Sequence, residues 1–100
     1  MPLDVPAGWA EANQVLNRTV ERADFVEALA FVLEVGKLAE AANHHPDIDI
    51  RWRKVHLSLT SHDAGNVITD KDVALAKQIN ELDEAVIRLT KDDLRRKFAA

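Results

Sequence analysis

Apolar residues in this 100-residue chain recur with different spacings, and each spacing predicts a different element. From Asp24 onward they recur every three or four residues, and no proline follows until Pro46. Asp24 is a good N-cap, and proline cannot continue a helix because it lacks the backbone N–H. The pattern therefore predicts a helix of roughly five turns between these two residues.

The predicted helix carries two apolar stripes, with Glu27 and Glu34 beside the second. The first contains Phe25, Leu29, Val32, Gly36 and Ala39, and the second contains Phe31, Val35, Leu38 and Ala42. A small monomer would struggle to cover both stripes. We therefore expect the second to lie between subunits, the alternative being that a terminal segment covers it.

Strict alternation of apolar and polar residues predicts strands on both sides of this helix. The four candidates are residues 8–12, 15–20, 47–52 and 55–60. Asn13-Gln14 would form the turn of the first hairpin. Arg53-Lys54 would form the turn of the second, unless these two residues are the middle of one longer strand. In the last strand the alternation turns Val55, Leu57 and Leu59 toward the helices. His56 then faces the other way, as a surface or interface residue.

Two Thr-x-x-Asp sequences predict helix starts in the last third of the chain. The first, from Thr69 to Asp72, begins a helix whose apolar face continues to Leu89. The second, from Thr90 to Asp93, predicts a separate short helix over residues 90–99.

Composition narrows the possible functions. One hundred residues make a single domain, and the net charge of −4 argues against binding to nucleic acid or anionic membranes. Without cysteine the chain has no disulfide, thiolate nucleophile or thiolate metal ligand. The start lacks a signal-peptide pattern, and no apolar stretch approaches ~18 residues, so we expect a cytoplasmic protein.

Three of the four histidines occur at two places, in Glu40–Pro46 and in Ser61-His62-Asp63. A helix end and a strand end can meet at one rim of an α+β domain. Since imidazole titrates near neutrality, such a cluster could pass protons in both directions. Glu40 lies one turn before His44 and is expected to face inward and orient that ring. The alternative is a Glu-His pair that merely finishes the helix.

Other chemistries lack their sequence patterns. Adjacent histidines point about 100° apart on a helix, so His44 and His45 could share a metal only if the helix ended between them. Gly-x-Ser-x-Gly and glycine-rich phosphate loops are absent from the sequence. Metal-free acid/base chemistry on a small polar substrate remains.

The spacing of the histidines and their neighbours resembles the pterin-4a-carbinolamine dehydratase family. The matching positions are Glu40, His44-His45-Pro46, Trp52, His62 and Asp72. The resemblance extends from Gly8-Trp9 to about Leu82. It implies an α+β fold, a four-stranded antiparallel sheet with helices packed on one face.

The resemblance also implies an activity, the dehydration of 4a-hydroxytetrahydropterin to quinonoid dihydropterin in tetrahydrobiopterin recycling. The pterin would be the substrate, with no metal or cofactor, and a homodimer or homotetramer is expected. A functional link to an aromatic amino-acid hydroxylase is also implied. The alternative is a catalytically weak dehydratase-like binding or assembly module, since some relatives act in that way.

By the same resemblance, residues of both histidine segments acquire roles. The catalytic set would be His44, His45, His62 and Glu40. Substrate contacts would come from Asn43, Thr60, Ser61, Asp63, Asp72 and Trp9, the last at the pocket border. Asp72 would also cap its helix. Which histidine is the acid and which the base stays open.

One departure from the family concerns the termini. Relatives usually have a helix before Gly8-Trp9, and this chain has almost none there. The segment from Leu89 to Phe98 looks like that leading helix. We therefore hypothesise that residues 90–99 occupy its place from the other end of the chain.

Overall fold

The computed structural model describes residues 4–99. Within them, four strands and three helices follow one another as β1 (Ala10–Ala12), β2 (Val15–Glu21), α1 (Phe25–Ala42), β3 (Asp47–Arg51), β4 (Lys54–Leu59), α2 (Asp70–Asn80) and α3 (Glu84–Phe98). The strands form an antiparallel sheet in the order β1-β2-β4-β3. The predicted α+β class and both predicted hairpins are confirmed.

The helices cover one face of the sheet. Pairing of β2 with β4 places Leu16 opposite Leu59 and Val20 opposite Val55, and all four side chains are buried. Burying a large aliphatic side chain contributes about 1.5–3 kcal/mol, so this layer is a main source of stability. His56 lies on the other face, as predicted, where Thr19 Oγ1 is 2.8 Å from its Nδ1 atom.

The turn between β3 and β4 differs from the prediction by one residue. Arg51 pairs with Lys54, so Trp52 and Arg53 form the turn instead of Arg53-Lys54. Trp52 has a φ of 58°, the positive value that the first residue of a tight hairpin turn requires. Alternation alone could not locate this turn, because the pattern does not show which residues leave the ladder.

The ends of α1 follow from local hydrogen bonds. Its N-cap is Asp24, as predicted, whose side chain accepts the Glu27 N–H at 2.9 Å. At the other end Asn43 adopts a left-handed conformation with a φ of 49°. The His44 N–H then donates to the Ala39 carbonyl at 3.1 Å, in a Schellman arrangement. The helix is therefore already closed before His44, and the chain leaves it in a new direction.

The expectation for the second apolar stripe of α1 is wrong. Phe31 and Val35 are buried within the chain itself. Glu34, expected beside this stripe and opposite the first one, is buried as well and accepts the Thr90 hydroxyl of α3 at 2.8 Å. The C-terminal helix α3 thus packs beside this stripe, and Ala42 at the end of the stripe is exposed. Phe25 of the first stripe is 47% exposed.

The boundary between the last two helices also differs from the prediction. α2 ends at Asn80, and α3 begins after Asp83, whose side chain accepts the Ala85 N–H at 2.9 Å. Thr90 therefore lies inside α3 and does not start a separate helix. The hypothesis that residues 90–99 replace a leading helix stays a prediction. Across the described residues, no helix is long and apolar enough to cross a bilayer.

Candidate active site

A cavity of ≈ 270 Å³ opens where α1 ends, β4 ends and α2 begins. It is lined by Asn43, His44, His45, Thr60, His62, Asp63 and Lys71. The helix end and the strand end therefore meet at one rim of the domain, which brings the three histidines of the two sequence segments together. The volume is close to the lower end of the roughly 300–1,000 Å³ range of small-molecule pockets.

His44 is hydrogen-bonded to Asp72 of α2, a fully buried residue. The Nε2 atom of His44 lies 2.5 Å from Asp72 Oδ1, and the side chains are only 10% and 0% exposed. An ionised carboxylate accepts and cannot donate, so the Nε2–H of the ring is the donor. This assigns the Nδ1 atom of His44 as the ring position left to exchange a proton.

Asp72 is fully hydrogen-bonded in its buried position. Its Oδ2 atom accepts the Ser61 hydroxyl at 2.7 Å and the Thr69 backbone N–H at 2.9 Å. Burial raises the pKa of Asp72, but the hydrogen bonds from His44, Ser61 and Thr69 outweigh it and hold the pKa below its usual value. Asp72 thus caps α2, as predicted, and fixes His44 with the same carboxylate.

Glu40 contacts His45, not His44, which corrects the predicted pairing. The Nε2–H of His45 donates to Glu40 Oε2, and both side chains lie at the surface. Glu40 is 79% exposed, so the expectation that it faces inward is also wrong. The predicted pairing required a helix that continued to His44. The left-handed Asn43 turns the chain away one residue earlier.

His62 lies in a single turn of 3-10 helix, residues 62–64, that Gly65 closes with a φ of 90°. Its Nδ1 atom is 2.7 Å from Asn66 Oδ1. With the amide oxygen as acceptor, Nδ1 carries the proton and Nε2 is the acceptor of the ring. Sequence reasoning missed Asn66, although an asparagine next to a turn glycine is a known site of local side-chain hydrogen bonds.

The predicted substrate contacts lie in three environments. Asn43, Thr60 and Asp63 line the cavity. Ser61 is buried and bonded to Asp72.

Trp9 lies in the core and donates from Nε1 to Asn80 Oδ1 at 2.9 Å. Asn80 ends α2, eight residues beyond Asp72, which is about 12 Å along the helix. The expected position of Trp9 at the pocket border is therefore wrong.

A larger cavity, of ≈ 810 Å³, lies between α1 and α3. Val32, Leu33, Ile48 and Leu94 give it an apolar wall, and Glu40 lies on its rim. Size alone would favour this groove. Charged groups such as Lys37 and Asp93 line it as well, but the histidines, the side chains suited to acid/base chemistry near neutral pH, line the smaller cavity. We therefore assign the candidate active site to the smaller cavity. Within residues 4–99, no three His, Asp or Glu side chains are grouped to hold a metal ion.

Fold and cavity together define a small α+β protein with three histidines on one polar cavity. The family model described as pterin 4 alpha carbinolamine dehydratase matches residues 2–82. The chain therefore belongs to this family. The match ends in the loop after α2, so α3 lies outside it.

Relatives with this name match most of the chain. A protein named "Putative pterin-4-alpha-carbinolamine dehydratase" from Roseiflexus sp. (strain RS-1) is 56% identical over 75 residues, covering 75% of this chain and 80% of the relative. One with the same name from Nocardia farcinica (strain IFM 10152) is 47% identical over 79 residues, covering 79% and 81%.

Solved structures share the fold. The crystal structure of a transcriptional coactivator/pterin dehydratase from Brucella melitensis superimposes with a TM-score of 0.70 at 25% identity, covering 81% of this chain and 83% of that one. A pterin dehydratase-like protein identified as a RuBisCO assembly factor in the alpha-carboxysome gives a TM-score of 0.58 at 18% identity, covering 79% and 86%. The second likeness concerns the fold alone.

Proposed function

We propose that this protein dehydrates 4a-hydroxytetrahydropterin to quinonoid dihydropterin by histidine acid/base catalysis. The observation that carries the proposal is the convergence of His44, His45 and His62 on one polar cavity in a member of this family. An imidazole can be the acid or the base near neutral pH, and positioned proton transfer contributes typically 10²–10⁴-fold to a rate.

The reaction requires one proton to be given and one to be taken. A protonated imidazole donates to the 4a-hydroxyl as the C4a–O bond breaks, and the oxygen leaves as water. An unprotonated imidazole removes the N5 proton, and the N–H electron pair forms the C4a=N5 double bond. The two transfers leave the summed charge of the two imidazoles unchanged. A proton passed from the second ring to the first then restores the starting protonation state of each.

Each of the three histidines of the site has one ring nitrogen engaged by the protein, which orients the other nitrogen. Buried Asp72 engages His44, Asn66 engages His62, and the exposed Glu40 engages His45. The resemblance to the family gives the proton exchange to His44 and His62. We assign proton exchange to these two residues and the holding of the pterin to His45. Asp72 takes the orienting role that the resemblance gave to Glu40, and Glu40 positions His45.

The proposed reaction has a place between two others. Its substrate is what an aromatic amino-acid hydroxylase leaves after using a tetrahydropterin, and its product must be reduced to restore that pterin. In the proposed reaction the pterin is the substrate and not a cofactor. The histidine side chains of the protein carry out the proton transfers.

Exposed apolar side chains support the proposal of a homodimer or homotetramer. Leu33 of α1 and Leu89 and Phe98 of α3 are 46%, 67% and 60% exposed. Sedimentation equilibrium of the wild type and of Leu33→Glu and Leu89→Glu measures the state directly. We expect the charged substitutions to shift an oligomer toward monomer, and a monomeric wild type would contradict the proposal.

The activity is tested by stopped-flow decay of the 4a-hydroxypterin absorbance. We expect the wild type to accelerate the decay over buffer in proportion to enzyme concentration. Equal rates with and without protein would contradict the proposed activity. The alternative function, a binding or assembly module, would then be favoured. Pterin binding by calorimetry in the same samples then tells whether the cavity is still a pterin site.

A further inference from the structure

Lys71 lines the histidine cavity, although sequence reasoning gave it no role. It is the second residue of α2, next to Asp72, whose cap fixes the first turn of that helix. Its Nζ atom lies 3.7 Å from Asp63 Oδ2, and Asp63 follows His62 directly. A cation and an anion thus stand side by side at the edge of the cavity.

The structure of the domain does not depend on this ion pair. Both side chains are largely exposed, and the separation is long for an ion pair. Exposed pairs of this kind contribute little to stability. Asp63 and Lys71 also line a second hollow of ≈ 280 Å³, so open space lies on both sides of the pair. The two charged groups can therefore exchange their mutual contact for contacts with a ligand.

We propose that Asp63 and Lys71 together bind the pyrimidinone edge of the pterin and select a 4-oxo over a 4-amino ring. That edge presents the N3–H donor next to the O4 acceptor. The carboxylate of Asp63 accepts from N3–H, and the ammonium of Lys71 donates to O4. This inference rests on the proposed function in one respect, since it takes the histidine cavity as the pterin site.

The same contact orients the reacting atoms. C4, which carries O4, is bonded directly to C4a, and N5 is the next atom along that edge of the ring. Holding O4 against Lys71 therefore keeps C4a and N5 close to the histidines that line the same cavity. Lys71 in this account is a specificity-determining residue and takes no part in proton transfer.

The test exchanges one atom of the ligand and one group of the protein. Calorimetry measures binding of 7,8-dihydropterin and of 2,4-diamino-7,8-dihydropteridine, in which an amino donor replaces O4 and N3 no longer carries a proton. The variants are Lys71→Met, which keeps the stem and removes the charge, and Lys71→Arg, which keeps the charge. Lys77→Met is the matched control, because Lys77 lies on α2 near Asp4.

We expect the wild type and Lys77→Met to prefer the 4-oxo ligand by about tenfold or more, and Lys71→Arg to keep most of that preference. Lys71→Met should lower that preference by about threefold or more, through weaker binding of the 4-oxo ligand, while Asp63 keeps its contact with N3–H. An unchanged preference in Lys71→Met, or no binding of either ligand to the wild type, would overturn the inference. A Lys71-dependent preference in a protein that does not accelerate dehydration would uphold it while refuting the proposed activity.

Discussion

His44 and Asp72, 28 residues apart in the chain, are joined by a 2.5 Å hydrogen bond beneath the cavity. The carboxylate also caps α2 through the Thr69 N–H and accepts the Ser61 hydroxyl. One buried group therefore fixes a helix start, the end of β4 and the ring proposed to exchange protons. Changes at Asp72 should accordingly affect stability and activity together.

Asp72→Asn should slow dehydration by roughly 10- to 100-fold, because an amide can present a donor to His44 and so fail to hold the tautomer. Steady-state kinetics should show the loss mainly in kcat. Asp70→Asn, a neutralisation two residues earlier on the exposed side of the same turn, is the control and should change kcat by less than about twofold. Equal effects of the two variants on kcat would contradict the proposed role of Asp72 in the active site.

The pKa of Asp72 is below its usual value in the folded protein, so we expect this residue to contribute to a loss of folding stability in acid. A carboxyl group whose pKa is lower in the folded than in the unfolded state stabilises the fold above its unfolded pKa of about 3.9. That contribution disappears as the pH falls through the folded pKa. Urea unfolding from pH 6 to pH 2.5 should therefore show a steeper acid loss in the wild type than in Asp72→Asn. Parallel curves would contradict this.

Glu40→Gln tests the corrected pairing of the first histidine segment. Glu40 is exposed and contacts His45, so we expect less than about 1 kcal/mol change in the free energy of unfolding. The rate should fall by less than threefold, far less than in Asp72→Asn. If Glu40→Gln instead matched Asp72→Asn, the pairing predicted from the sequence would describe the working enzyme better.

Thr90→Val tests whether α3 is an integral part of the domain. Burial raises the pKa of Glu34, and hydrogen bonds from Lys37 and Thr90 outweigh it and leave the pKa below its usual value. Removing the Thr90 hydroxyl takes one partner from a buried carboxylate, so we expect a destabilisation of about 1–3 kcal/mol in urea. Thr90→Ser keeps the hydroxyl and should lose much less. An unchanged stability of Thr90→Val would mean that the Glu34 contact contributes nothing and that the other contacts of α3, among them the ion pairs of Asp24 with Lys91 and Arg95, hold the helix.

Much of the fold could be predicted from short-range patterns. Alternating residues located both hairpins, and Asp24 marked the start of the long helix, because these signals depend on neighbours in sequence. The last helix start was missed because Asp83 and Thr90 are both acceptable caps, and only packing against α1 decides between them. The burial of Glu34 was missed for the same reason, since its partner Thr90 lies on another helix.

The site could be predicted as a set of residues but not as a set of contacts. The prediction was that a helix end and a strand end can meet at one rim of an α+β domain, and His44, His45 and His62 do share a cavity. The partner of His44 was missed because the prediction continued the helix through Asn43. A single residue in the left-handed conformation changes the direction of the chain that follows it. Asparagine indicates that conformation less strongly than glycine does. Lys71 carried no pattern of its own, and Asn66 carried only the turn signal of an asparagine next to glycine.

The central claim is that the histidines of this cavity move the protons of the reaction, and the chain offers a matched comparison. His62 lines the cavity, whereas His56 lies on the open face of the sheet, bonded to Thr19 and Asn17. Stopped-flow dehydration by the wild type, His62→Ala and His56→Ala tests the claim directly. We predict that His62→Ala lowers the rate by about 10² or more, while His56→Ala stays within twofold. Equal rates in the two variants would contradict it.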